Sequence, residues 1–282
     1  LSIGSPIVEL ATDEAATAGI WSSVSNQGGS FEMLSIARSM RLAATVAVCA
    51  VSAPAFAAAL PMSLTINAGS ASALHDLAPN SVSGGTGIYN GNLSDAGDWN
   101  VFYNFNASST VNSTGGVQTG ASAFQNGSFS ITNLTAGEVT YLITLTLPTE
   151  VTAPMLGSFT GSVSGTLITS GPGLLATAGP GTSLWTAQTG GTTVAPLFEN
   201  PFIAQRSTQG ATSIGSRSFG NPDPLATSTF GNTIGITFNF RLSAGATASF
   251  TTNLSGVGTP VPAPAALAVL ACAGLVPTRR RR

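Results

Sequence analysis

Few residues of this chain are equipped for chemistry. His75 is its single histidine and stands beside Asp76. A histidine held by a carboxylate can serve as general base toward a serine, but that use asks for a nucleophile on a sharp strand-to-helix turn. No Gly-x-Ser-x-Gly elbow opens a helix here, and Gly157-Ser158 and Gly161-Ser162 sit on a strand pattern. His75 is therefore expected to be an exposed loop residue. One histidine without neighbouring cysteines does not make a zinc site unless carboxylates complete it.

Residues 90–98, Asn-Gly-Asn-Leu-Ser-Asp-Ala-Gly-Asp, are read as a loop that gathers oxygen atoms just ahead of a strand. Hard cations such as Ca²⁺ take oxygen ligands, which makes Asp95 and Asp98 candidate metal ligands. Their spacing is not that of an EF-hand, and both residue types are common turn formers. Asp95, Asp98, Glu138 and Glu150 are formal candidates for the carboxylate pair of a glycoside hydrolase, although a sugar-cleaving groove usually adds several exposed aromatics and charged orienting groups. Trp99 alternates with apolar residues and is expected in the core. Trp185 lies between glycine-rich loops and is a candidate for stacking on a sugar ring. Asn-x-Ser/Thr sequons at Asn92, Asn106, Asn112, Asn126, Asn133 and Asn253 are what a chain rich in these residues gives by chance. No cofactor is expected.

The elements that must position these groups belong to an unusual composition. Hydrophobic residues make up 43% of the 282, enough for a core, while charged residues are only 7%, against roughly a quarter in an ordinary soluble domain. The surface must be neutral and rich in hydroxyl and amide groups. Six of the nine basic residues are arginines near the two ends, and residues 58–260 hold seven acids against three arginines. Nucleic-acid binding needs cations to displace counterions from phosphates, so that class is excluded. Cys49 and Cys272 both fall in apolar stretches near the ends, which leaves the body between them without a disulfide or a thiolate metal site.

From Met33 the chain has a basic start at Arg38 and Arg41, an apolar stretch over 42–51, and then Ala55-Phe56-Ala57. That order is the pattern of a secretory signal peptide, with Ala55 and Ala57 at the −3 and −1 positions of a cut after residue 57. Residues 33–57 are read as that signal, and residues 1–32 as a leader or non-native extension absent from the mature protein. Near the other end, a proline-punctuated spacer leads into an apolar run over 265–276 and then Arg279, Arg280, Arg281 and Arg282. Clustered arginines resist translocation, so they are expected to act as a stop-transfer signal behind a C-terminal apolar transmembrane helix. The run is shorter than the roughly twenty residues of a permanent span, which fits a transient sorting segment better than a lasting anchor.

Val261, Pro262, Ala263 and Pro264, the apolar run and the arginine cluster together resemble a PEP-CTERM sorting tail, with alanine where that family usually has glutamate. The resemblance covers residues 261–282. It implies an exported protein whose partners include signal peptidase, an exosortase-type sorting enzyme and the membrane, with the body released to, or held at, the cell surface.

The body, residues 58–260, shows no fixed-period repeat and no linker, and is read as one domain. Trp99, Val101, Tyr103 and Phe105 alternate with asparagines; residues 139–147 alternate with threonines; Ile234, Ile236, Phe238, Phe240 and Leu242 share a face. The last of these runs is expected to turn at Ser243-Ala244-Gly245 into a hairpin with Ala246, Ala248, Phe250 and Leu254. Shorter strands are expected at 63–67, 127–133, 157–169, 183–188, 193–198 and 212–219. The fold class is all-β, an antiparallel sandwich or jelly roll, flanked by the signal helix and the C-terminal helix. The leading functional expectation is a non-catalytic cell-surface or matrix protein. A carbohydrate-binding module that meets extracellular polysaccharide is the alternative, and a secreted hydrolase the third.

Overall fold

Threonine, asparagine and aromatic side chains alternating with period two suit an extended chain with one dry and one wet face. The computed structural model describes residues 60–227 and 229–261, and in it the three alternating runs are strands. In chain order the first strands are β1 (Met62–Ala68), β2 (Ala71–Leu77), β3 (Ser81–Ser83), β4 (Thr86–Asp95), β5 (Trp99–Thr114), β6 (Val117–Asn133), β7 (Val139–Pro148) and β8 (Met155–Thr169). They are followed by β9 (Gly173–Thr177), β10 (Ser183–Thr189), β11 (Thr192–Glu199), β12 (Ile203–Arg206), β13 (Gly210–Phe219), β14 (Leu225–Thr227), β15 (Thr233–Leu242) and β16 (Thr247–Pro260).

These strands form two antiparallel sheets of eight. The first runs β11-β10-β15-β7-β1-β2, with β9 beside the other half of β15 and β12 on β9. The second runs β13-β8-β16-β6-β5-β4-β3, with β14 also on β8. β9 with β10 along β15, and β13 with β14 along β8, each behave as one strand broken by a loop. The all-β expectation holds at this level: two antiparallel sheets, consistent with a sandwich or jelly roll.

The inward faces meet in an aromatic seam. Phe129 of β6 lies edge-on to Phe238 of β15 with ring centroids 4.6 Å apart, and Phe250 of β16 sits 4.9 Å from Phe238 and 5.4 Å from Phe240. Phe240 continues the seam to Tyr141 of β7 at 5.7 Å. Phe238, Phe240 and Tyr141 are fully buried, as are Ile143, Leu147, Ile234 and Ile236 of the same sheet. Edge-to-face and offset aromatic pairs add to the free energy of burial itself. One end of the seam is closed by Asn133, whose buried amide donates to the carbonyls of Gly137 (2.8 Å) and Leu242 (2.9 Å). Its side-chain oxygen accepts from the N–H and hydroxyl of Thr135.

The expected hairpin of β15 with β16 is corrected. β15 lies between β10 and β7 in the first sheet, whereas β16 lies between β8 and β6 in the second. A hairpin would have put Phe238, Phe240 and Phe250 side by side on one sheet. The arch through Gly245, at φ +63°, places them opposite one another instead. One hydrogen bond closes it, Ala246 N–H to Ser243 C=O (3.2 Å), and two go outward: Gly245 N–H donates to Asn133 C=O (2.9 Å) and Ser243 N–H to Leu174 C=O (3.0 Å).

The expectation of a transmembrane helix is also withdrawn, because among the described residues no helix is long and apolar enough to cross a membrane. The segment 33–57, expected to be a signal helix and including Ala55 and Ala57, lies outside the described residues. So do Pro262, Ala263, Pro264, the apolar run over 265–276 and the four arginines at 279–282.

Phe250→Ala removes the ring common to three contacts of the seam and should cost about 3–5 kcal/mol in chemical denaturation. Burial raises the hydroxyl pKa of Tyr89 and of Tyr141, and for Tyr141 the charge of Asp98 adds to it. Both phenols then stay neutral in the folded state while the unfolded chain ionises above pH ~10, so stability should be flat below that pH and fall as pH rises past it. Absorbance titration should show these two ionising only as the protein unfolds.

Candidate functional site

The residues singled out for chemistry are scattered by the fold. His75 is on β2 rather than in a loop, in register with Leu64, and its side chain points to the core side with Nε2 buried and without a hydrogen-bond partner. Asp76, in register with Ser63, occupies the opposite face. Neighbours along a strand point to opposite sides, so this pair cannot form a His–carboxylate dyad. Ser158 and Ser162 belong to β8 in the other sheet and alternate with the buried Phe159 and Val163, which points them away from the core and from His75.

Asp95 ends β4 and Asp98 precedes β5, joined by a tight turn in which Asp98 N–H donates to Asp95 C=O at 3.1 Å and Gly97 takes φ +96°. The segment read as a loop over 90–98 is therefore strand as far as Asp95, and turn beyond it. Both carboxylates are exposed, and among the described residues no three His, Cys, Asp or Glu side chains come together. Glu138 pairs with Arg241 at 3.1 Å. Glu150 lies past the far end of the ten-residue β7, more than roughly 30 Å from Glu138 at about 3.4 Å per residue. A glycosidase pair needs about 5–9.5 Å.

Trp185 requires a correction. Its indole is fully buried, packed against Phe219 at 6.0 Å, and its Nε1 donates to Thr252 Oγ1 at 2.8 Å. β10 sits one strand in from the edge, and two successive residues, Leu184 and Trp185, are both enclosed there. No face of the ring is open to a sugar. The expectation for Trp99 holds, at 2% exposure.

What the fold does assemble is an uncharged surface. β5, β6, β8 and β16 are adjacent in the second sheet, and none contains a charged residue. Register lines their outward side chains into ranks: Asn106, Asn126, Asn253 and Ser162 in one, Asn104, Ser128, Thr251 and Ser164 in the next, then Phe102, Ser130, Ser249 and Thr166. The first sheet does the same with Thr65, Thr144, Thr237 and Thr186, of which Thr144 and Thr237 hydrogen-bond through their hydroxyls at 3.2 Å. The charged groups sit at the ends and edges, among them Asp95, Asp98, Glu138, Glu150 and Arg217.

Two clefts open on these faces. The larger, about 690 Å³, crosses the second sheet between Phe102 and Asn104 of β5 and Ser164 and Thr166 of β8. The smaller, about 540 Å³, lies on the first sheet among Thr186, Thr193, Thr237 and Asn239, with Glu199 as its one carboxylate. Sequence reasoning passed over the larger cleft. The asparagines opposite Trp99, Val101 and Phe105 were the signal, but the strands that lie beside them are set by long-range pairing. Chemically, the array offers hydroxyl and amide donors and acceptors, and no group within it titrates near neutral pH.

The chain matches no family model, and no curated protein matches it. Likeness to PEP-CTERM tails thus rests on residues 261–282 alone, of which Val261 is within the described part, its N–H on Pro154 C=O at 3.3 Å.

Trp185→Ala should therefore act on stability. It empties a buried site and leaves Thr252 without its donor, and should lower stability by about 3–5 kcal/mol in denaturant, with any loss of ligand retention tracking the fraction unfolded.

Proposed function

We propose that this chain is an exported protein of the cell envelope or extracellular matrix that acts by contact rather than by catalysis. One observation carries the reading: four adjacent strands of the second sheet hold no charged residue and present ranks of Ser, Thr and Asn. A surface of that kind exchanges hydrogen bonds with neutral polar partners and lacks the proton donors and acceptors that general acid–base chemistry uses. Export is supported by the arginines before the apolar stretch 42–51 and by Ala55-Phe56-Ala57. In this reading signal peptidase cuts after Ala57, and an exosortase-type enzyme processes the tail at or near Val261, Pro262, Ala263 and Pro264. The arginines at 279–282 delay translocation until that has happened. A secreted hydrolase is the poorer fit, since His75 and Asp76 are on opposite faces and Glu138 is engaged by Arg241. The cleft beside Phe102 favours one second reading, a carbohydrate-binding module.

Mass spectrometry of the native protein from fractionated cells tests the proposal. The expected result is a mature N-terminus at Ala58, no peptides from residues 1–57, and recovery from the envelope or medium. Recovery from the cytosol with residues 33–57 still attached overturns it.

A further inference from the structure

We propose that the larger cleft binds a neutral polysaccharide chain, with Phe102 as the stacking wall. This rests on the reading that the body works by contact. The floor is built from small hydroxyl side chains in register, Ser130 against Ser249 and Ser128 against Thr251. Strands lie about 4.8 Å apart and same-face residues about 6.8 Å apart along each, so the floor is a grid of donors and acceptors with no bulky group to block a ligand. Asn104 adds an amide that can both donate and accept.

Three further features point to a ligand of this class. Rungs on either side are satisfied within the protein, Thr132 with Thr247 at 2.9 Å and Thr110 with Ser122 at 2.7 Å. The hydroxyls of the cleft face the open volume between these rungs. Phe102 is 53% exposed amid asparagines and serines. Its ring offers an apolar face to the C–H surface of a sugar while its neighbours meet the sugar hydroxyls, the usual division of labour in sites that hold polar ligands. Finally, no residue that lines the cleft carries a guanidinium or carboxylate, so a uronate or phosphate polymer finds no ion pair there to offset its desolvation. At about 690 Å³ the cleft is of ordinary size for a ligand site, and its position across an open sheet face suits a chain that enters on one side and leaves on the other.

Affinity electrophoresis of the purified full chain provides the test, in gels containing hydroxyethyl cellulose, glucomannan or dextran as neutral polymers and alginate or polygalacturonate as charged ones. The expected result is retardation by at least one neutral polymer and by neither uronate. Phe102→Ala should weaken that retardation about tenfold or more, the effect of truncating a central contact. Because the ring is half exposed, the melting temperature should stay close to that of the parent. Asn104→Ala gives a second reading of the same site, and Thr144→Ala on the other sheet should leave binding unchanged. The proposal fails if no neutral polymer retards the protein, if the uronates retard it equally, or if both Phe102→Ala and Asn104→Ala bind like the parent. Failure of the export reading is distinguishable, since a cytosolic chain with its signal attached would still be retarded by the neutral polymer through this cleft.

Discussion

Both sheets depend on one seam of rings. Phe129, Phe238 and Phe250 meet across the interior within 5.1 Å of one another, and residues 58–260 contain no cysteine to cross-link it. With a single salt bridge among the described residues, at Arg241 and Glu138, electrostatic pairing contributes little, as exposed pairs generally do. Burial of apolar surface must then supply most of what opposes chain entropy. The chain passes between the sheets seven times, β2 to β3, β6 to β7, β7 to β8, β8 to β9, β12 to β13, β14 to β15 and β15 to β16. Each crossing brings another apolar face to the shared interior.

The same period that builds the seam builds the surface. Along β16, Phe250 points inward and its neighbours Ser249 and Thr251 point out into the cleft. On β6, Phe129 stands between Ser128 and Ser130 in the same way. A slip of one residue in register would bury serines and expose phenylalanines. The core therefore fixes the hydroxyl grid as firmly as it fixes itself, and the grid needs no separate device to keep its spacing. Pre-organisation of this sort removes most of the ordering cost on the protein's side of a binding event.

Local periodicity was enough to recover β5, β7 and β15 with their buried faces, and the core position of Trp99, because alternation of large apolar with Asn or Thr side chains is a property of one strand. Lateral order was not recoverable in that way. Whether β15 and β16 make a hairpin or an arch depends on where Phe129 and Ile143 stand, and those residues are about a hundred positions away in sequence. Trp185 misled for a related reason: its flanking glycines suggest an exposed loop, and only the packing of Phe219 and the hydroxyl of Thr252 close over the indole. His75 sits in a short, weakly apolar strand, β2, whose partner β1 supplies the pattern that the strand itself lacks. The cleft was half visible as asparagines on one strand, and the other half belonged to β6, β8 and β16.

A β protein this poor in charge also has to keep its edges from pairing with other copies, and the usual lysines are absent. Three of the four sheet edges are interrupted instead, while β2, on the remaining edge, keeps an unbroken seven-residue register with β1. β3 is three residues long, β13 and β14 are parted by a loop and β13 bulges between Ser213 and Gly215, and β11 is separated from β12 with a register shift against β10 at Ala187 and Gln188. Phe198 at the end of β11 takes φ +54°, a conformation costly for a bulky residue, and turns the strand away from straight extension. Arg217 covers its ring from the opposing sheet at 5.8 Å. Broken edges discourage growth by strand addition, whereas nothing comparable interrupts the broad faces. On the proposed reading, contact with other molecules falls to the faces, where neutral hydroxyl ranks, rather than unpaired backbone, decide what adheres.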